Sequence, residues 1–587
     1  SGVWLMSNAK KMLLSAAGNA GGAGLDITEV FSTFLYSGTS ADQTITNNID
    51  LSEGGLVWLK SRTTTHAHYL FDTERGFTSG AGNFISSNSI NGEANTGNFG
   101  VSSFNSDGFS LHDGWSGANQ SGANFASWTF RKAEKFFDVV KYTGSASIRT
   151  ISHNLGTTVG TIIIKDLQYG NWVVYHRSLG NTKYLRLNGT QAEQTDSTYW
   201  NNTDPTDSVF TLGTAGGTNE NGRPFVAYLF AHNNSDGNFG PDSDQDIIKC
   251  GSYTGNGSTT GPVIDLGFEP QWVMVKASSS AGNWHMFDTM RGIPTGGNDP
   301  WLNADESAAE NPNSPALDVT ATGFKLADNA AGWNGSSVNY IYMAIRRGPL
   351  APPEAGSEVF AITTANNTVN PLMTSGITID MAIKTIVTSG SNNDIASRLT
   401  GLEYLKTGGT DAATTNVNIG NFAFQNGYYS GGQTNTNNYA WMWKRAPSYF
   451  DVVAYNGTGS AKTESHNLGV APEMIWVKCR NAVEDWNVYH KDLGSGKYLV
   501  LNKTDAEATA TSKWNDTDPT ASVFSLGTHI NVNGSGKTYV AYLFSSLAGV
   551  SKVGSFTATG NDVDVDCGFS NGARFVLIKR TNSADDW

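Results

Sequence analysis

The feature that most constrains this chain is that it repeats itself. FDVVKYTG (137–144), SHNLG (152–156), IIIK (162–165), NWVVYH (171–176), KYLRLN (183–188), WNNTDPT (200–206), SVFTLGT (208–214) and FVAYLF (225–230) form one series of blocks. They return in order as FDVVAYNG (450–457), SHNLG (465–469), IWVK (475–478), DWNVYH (485–490), KYLVLN (497–502), WNDTDPT (514–520), SVFSLGT (522–528) and YVAYLF (539–544). Asp138 maps to Asp451 and Trp200 to Trp514, an offset of 313 to 314 residues. A shorter signature marks more copies: an apolar run ending in Lys, then an Asp or His about twelve residues on. It reads Lys60 with Asp72, Lys165 with His176, Lys276 with Asp288, Lys478 with His490, Lys579 without its partner position, and a degenerate MAIK at Lys384. The mean spacing near 104 residues defines six related modules, which the alternation of FDTxRG and YH types groups in threes.

Within a module, apolar runs of four to eight residues rich in Val, Ile, Tyr, Phe and Trp alternate with Gly, Asn, Asp and Ser, the pattern of strands and turns. About seven strands per hundred residues matches a two-layer antiparallel sandwich. The predicted class is all-β: a tandem array of about six β-sandwich modules, jelly-roll or lectin-like, each around its own core. The divisions are an N-terminal anchoring arm with a Gly/Ala hinge (1–26), module one (27–136), module two (137–231), a flexible polar linker (232–246), module three (247–347), a semi-rigid Pro-rich linker (348–358), a divergent module four (359–448), module five (449–546) and an unfinished module six (547–587). Modules one and two, almost without a linker, are expected to pack end to end. VFTLGT with FVAYLF, GFSL with FASWTF, and GFKL with YIYMAI read as closing hairpins, one face inward and one toward solvent.

Composition narrows the function classes. Lys plus Arg is 38 and Asp plus Glu 52, a net charge of −14, which gives no general attraction for nucleic acid or anionic membrane. No apolar run approaches the roughly 18 residues that cross a bilayer, so membrane insertion is not expected. Cys250, Cys479 and Cys567 carry no CxxC spacing, so neither a disulfide framework nor a zinc site is indicated.

The motifs favour architecture over catalysis. Asp72 with Arg75 and Asp288 with Arg291 pair each acid with a cation, unlike the two facing carboxylates of a glycosidase, and are read as fixing a turn. His153 with His176, and His466 with His490, lack a recurring third ligand and are read as structural histidines. Asp204 and Asp518 in the WNxTDPT segments could join a calcium shell, but turn chemistry accounts for the same letters. Trp172, Trp284, Trp486 and Trp587 recur at one repeat position and are read as core; Trp115, Trp301 and Trp333, in Gly/Asn-rich loops, are the candidates for surface contact with a glycan. Catalytic residues, cofactor and metal are all expected to be absent.

The segments LLSAAGNAGGAG, VFSTFLYSG, FDTERG, FASWTFRKAEKFFDVV, SHNLG, VYH, CGSYTGNG, IDLGFEPQWVMVK, YIYMAIRRGP and YVAYLF resemble a family of large, repeat-built virion proteins of marine tailed bacteriophages that carry a recurring domain of unknown function. The resemblance spans nearly the whole chain. It implies a structural or tail-fibre-type protein at the surface of the particle, attached to other virion proteins through the N-terminal arm, associating as a homo-oligomer on the trimeric pattern of fibres and meeting host surface glycans. The alternatives are a capsid-surface or tail structural protein without receptor contact, and a polysaccharide depolymerase.

Overall fold

The computed structural model describes residues 24–587 except 79, 96, 98, 99, 366–369, 387–392 and 430–434. The expected anchoring arm lies, as far as residue 23, outside the described residues. Five modules share one plan. In module two the larger sheet runs Phe137–Thr143, Pro224–Ala231, Val159–Asp166, Val173–His176, all antiparallel, so the last strand inserts between the first and third. The smaller sheet pairs Arg149–Ser152 with Val209–Leu212. The order recurs in module one as Phe31–Ser37, Asn124–Arg131, Gly55–Ser61 and Tyr69–Asp72, in module three as Ile248–Thr254, Asn339–Arg346, Pro270–Ala277 and Trp284–Asp288, in module four as Phe360–Ala365, Asn435–Trp443, Met381–Ile386 and Asp394–Ser397, and in module five as Phe450–Asn456, Thr538–Phe544, Met474–Cys479 and Asn487–His490. The chain is an array of antiparallel β-sandwiches, as the repeat grammar predicts.

The expected hairpins do not form. Val209–Leu212 pairs with Arg149–Ser152, while the following strand Pro224–Ala231 lies in the other sheet. The connection crosses between layers through a short helical turn, Gly216–Asn219. In modules one, two, three and five a fully buried asparagine fixes the crossing five residues before the last strand: Asn119, Asn219, Asn334 and Asn533. The Asn219 side chain donates to Ser147 O at 2.8 Å and Gly213 O at 2.7 Å and accepts from Ser145 N at 2.9 Å. Asn533 does the same with Ser460 O, Gly527 O and Thr458 N. The crossing thereby satisfies backbone groups that a two-residue hairpin would have paired itself.

Nor does one face of the larger sheet meet solvent. Val159–Asp166 is buried at every residue, and so is Gly55–Ser61. One face closes the module's own core, and the other packs against neighbouring modules. Trp58 and Trp128 of module one, Trp172 and Tyr228 of module two, and Trp272, Trp284 and Met343 of module three belong to one continuous apolar core. The backbone shows how they are arranged. Glu93 N donates to Leu167 O, Glu193 N to Ser278 O and Glu310 N to Arg62 O, at 2.8, 2.7 and 2.8 Å, so the same bond runs from module one to two, two to three, and three back to one. Three equivalent bonds that return to their origin are the mark of a closed cyclic arrangement, here made within one chain.

The signature lysines sit on these seams. Lys165 Nζ donates to Ile90 O of module one and Lys276 Nζ to Thr190 O of module two. Arg62 completes the circuit with a two-pronged ion pair to Glu310 of module three, at 2.9 and 2.8 Å. In the second half, Ala413 N reaches Arg480 O and Lys478 Nζ reaches Thr410 O, joining modules four and five; Glu507 N reaches Thr581 O and Lys579 Nζ reaches Thr504 O, joining five to the last segment. Residues 552–587 hold no assigned strand, so the sandwich strands expected of module six are not formed. Phe575, Leu577 and Trp587 nevertheless pack on a core that modules three, four and five share.

The linkers also differ from expectation. In 232–246, Phe239 and Asn233 are fully buried and Gly240 N bonds Leu25 O, because this stretch carries its own apolar anchor into the shared core. Leu350 in the Pro-rich segment is buried in the same core, its N–H held by Asp26 Oδ2 at 2.7 Å. Modules one and two meet along sheet faces and not end to end, since the aromatic faces offer far more apolar area than the module tips.

Candidate functional site

The acid and cation pairs lie on the module seams. Asp72 and Arg75 are both fully buried; Arg75 Nε donates to Asp72 Oδ2 at 2.5 Å, its N–H to Oδ1 at 2.9 Å, and its guanidinium to the carbonyls of Leu70 and Asn83. The turn expected from FDTERG is therefore made. Across the seam, Tyr228 of module two donates to Asp72 Oδ2 at 2.6 Å. The copy in module three is wired alike: Arg291 Nε reaches Asp288 Oδ2 at 2.6 Å, and Trp128 Nε1 of module one donates to the same oxygen at 3.1 Å. Trp128 and Tyr228 occupy one repeat position, so the two seams share one contact.

The histidines of each pair are carried apart. His153 packs on Phe210 inside module two and takes the Leu155 N–H on Nδ1, as His466 does with Phe524 and Leu468 N in module five. His176 is at the seam with module three, Nε2 against Tyr342 O at 3.1 Å, and burial lowers its pKa to about 4. His490 is half-buried and takes the Asp492 N–H on Nδ1. Among the described residues no group of three His, Cys, Asp or Glu is placed to hold a metal ion.

Trp172 and Trp284 are core, but the core is that between modules: Trp172 Nε1 donates to Ser86 O of module one and Trp284 Nε1 to Arg186 O of module two, both at 2.9 Å. Trp486 and Trp587 repeat this on Lys406 O and Val500 O. Module one has His68 at this position; its Nδ1 accepts from Trp58 Nε1 at 2.9 Å and its ring faces the Asn303 backbone of module three. The three loop tryptophans differ, since Trp115 and Trp301 keep part of their surface exposed. Trp333 is buried, with Trp301 set edge-on against it at 5.2 Å, and Trp115 packs on Tyr69 at 4.3 Å. Trp333 is drawn inward because a neighbouring apolar cluster offers it more contact than water does.

Between the two halves lies a cavity of about 1140 Å³. One wall is the edge strand Phe31–Ser37 and the adjoining 44–48 of module one; the other comes from 376–380, 398–399 and 421–426 of module four, with module three at the base. A buried ion network locks that base. Arg445 donates to both oxygens of Glu269 at 2.8 and 2.7 Å and through Nε to Asp451 at 2.6 Å, and Arg347 lies 3.3 Å from Glu269. Burial would raise the Glu269 carboxyl, but Arg445 and Arg347 together hold it below the usual range. Sequence reasoning missed this joint. Its signal was a cation six residues before the FDVV aspartate, Lys132 before Asp138 and Arg445 before Asp451, ion-paired in both copies.

A family model described as a domain of unknown function, DUF7483, matches residues 26–349 and again 362–587, the two halves that the module seams define. No curated protein is matched.

Proposed function

We propose, with the chain's membership of the DUF7483 family over both matched segments as the premise, that this is a non-enzymatic structural protein of a tailed-phage virion, a tail fibre or tail-associated adhesin that meets host surface glycans. The observation that carries the reading is where the reactive side chains sit. Asp72, Arg75, Asp288, Arg291 and His176 each bond to a neighbouring module or to a turn that supports one, so their chemistry is engaged in holding sheets together. Low charge, buried seams and many short loops suit a durable presenting surface, and repeated modules would multiply weak contacts. The resemblance to virion proteins supplies the setting, and the N-terminal arm is assigned to attachment. Purified protein should compete with whole particles for adsorption to host cells, and a reconstruction of the particle should place it on the tail. Release of reducing ends from host polysaccharide, abolished by Asp72→Asn or Asp288→Asn, would overturn the reading.

A further inference from the structure

We infer that the cavity between the two halves is a binding site for an acidic saccharide. This deepens the proposed function and rests on it. In a chain of net charge −14, five cationic side chains and only two carboxylates line this space. Three of those cations are matched: Arg62 by Glu310, and Arg445 and Arg347 by Glu269. Arg398 is matched less closely, by Asp380 at 3.6 Å, and Lys444 is not matched. Lys444 is half-buried with no carboxylate at ion-pair distance among the described residues. Arg398 is 8% exposed; its terminal nitrogens donate to Phe422 O and Ile379 O, but Nε has no hydrogen-bond acceptor, and Asp380 Oδ1 stands 3.6 Å away. Burial lowers the Arg398 pKa, with Asp380 offsetting only part of the effect. On the facing wall, Thr33 is 4% exposed and its Oγ1 also lacks a partner. A buried polar group left unbonded costs stability, and Arg398 Nε and Thr33 Oγ1 are two such groups on residues that line the cavity.

The rest of the lining selects among anions. Hydroxyl and amide side chains, Thr46 and Asn48 on one wall and Gln425 on the other, outnumber apolar ones. Such a lining offers paired donors and acceptors to vicinal hydroxyls and few apolar recesses for peptide side chains. The half-buried rings of Phe34 and Phe424 offer a face to a sugar's C–H surface. A uronate or sulfated sugar would set its anion between Lys444 and Arg398 and its hydroxyls along the module one wall.

The test uses the full chain and calorimetric titration with tetragalacturonate. Maltotetraose serves as the neutral counterpart, inorganic sulfate as charge alone and tetraglutamate as the peptide arm. Tetragalacturonate should bind one to one and the other three at least about tenfold more weakly, with Lys444→Glu costing about tenfold in affinity, or about 1.4 kcal/mol. Thr46→Trp, at an exposed wall position, should abolish binding by filling the space, and both variants should melt within about 2 °C of the parent. Unchanged affinity in both variants, equal binding of tetraglutamate, or no binding of any saccharide overturns the assignment. If the variants still compete for host adsorption as the parent does, the cavity assignment fails while the adhesin reading stands. If the parent itself does not compete, the adhesin reading fails independently of the titration.

Discussion

Asn219→Ala separates a fused three-module unit from three independent sandwiches. The side chain is fully buried and makes three hydrogen bonds; Ser147 is exposed, so water can serve its carbonyl, but Gly213 O and Ser145 N lose their partner. Two poorly satisfied groups at about 1–3 kcal/mol each give a loss of about 3 kcal/mol. What that does to the melting temperature depends on the size of the cooperative unit. At about 2.1 cal/mol/K per residue, a unit of about 320 residues, residues 26–349, has a transition entropy near 0.7 kcal/mol/K and should melt about 4–5 °C lower as one transition. A self-standing module of about 95 residues, 137–231, would fall by about 15 °C and leave its neighbours in place. Differential scanning calorimetry of the full chain reads this directly. A separate early transition carrying about a third of the first half's enthalpy would refute the reasoning.

Three further outcomes are expected. Trp172→Phe keeps a ring at the seam but removes the bond to Ser86 O, costing about 1 kcal/mol, whereas Trp172→Ala should cost about 3–5 kcal/mol by chemical denaturation. Glu269→Ala leaves Arg445 buried beside Asp451 alone and should cost about 3–5 kcal/mol, while Glu269→Gln with Arg445→Met recovers most of it; no recovery would mean the joint acts through something other than charge. Acid should destabilise the chain. His176 and His285 titrate near 4 when folded against an unfolded value near 6.5, both lowered first by burial, so the unfolded chain binds more protons between those values and stability falls as pH drops through that window. Asp305, raised by burial to about 6, and Asp299, raised by burial well above the usual carboxylate range, work the opposite way, while His232, lowered by burial to about 4, adds to the two histidines. A melting temperature that rises from pH 6.5 to 4 would contradict this.

Much of the fold was legible because repetition exposes it. Sequence identity between distant segments placed the strands, the grouping in threes and the recurrent Trp position without any structural knowledge. The burial of the larger sheet on both faces was written in runs such as IIIK and VMVK, which lack the alternation of a half-exposed strand. An apolar residue against its own module and one against a neighbour look the same in sequence, so Trp172 was rightly placed in a core but in the wrong one. The buried asparagines were readable only as Asn five residues before the last strand, a signal that turn chemistry masks. Trp333 is buried where its Gly/Asn-rich neighbours suggest an exposed loop, because that loop folds its aromatic ring inward. The cavity could not be read at all, since it joins residues from 28 to 445 that no local pattern connects.

Native-state hydrogen exchange on the whole chain tests the central claim most directly. Strands Asn124–Arg131, Pro224–Ala231 and Asn339–Arg346 are interior strands, paired on both sides, of the three sheets that share one core. Their slowest amides should open with one common free energy and one common denaturant dependence, as a single unit. Three distinct opening energies, each unaffected by substitution in the other two modules, would contradict the shared core.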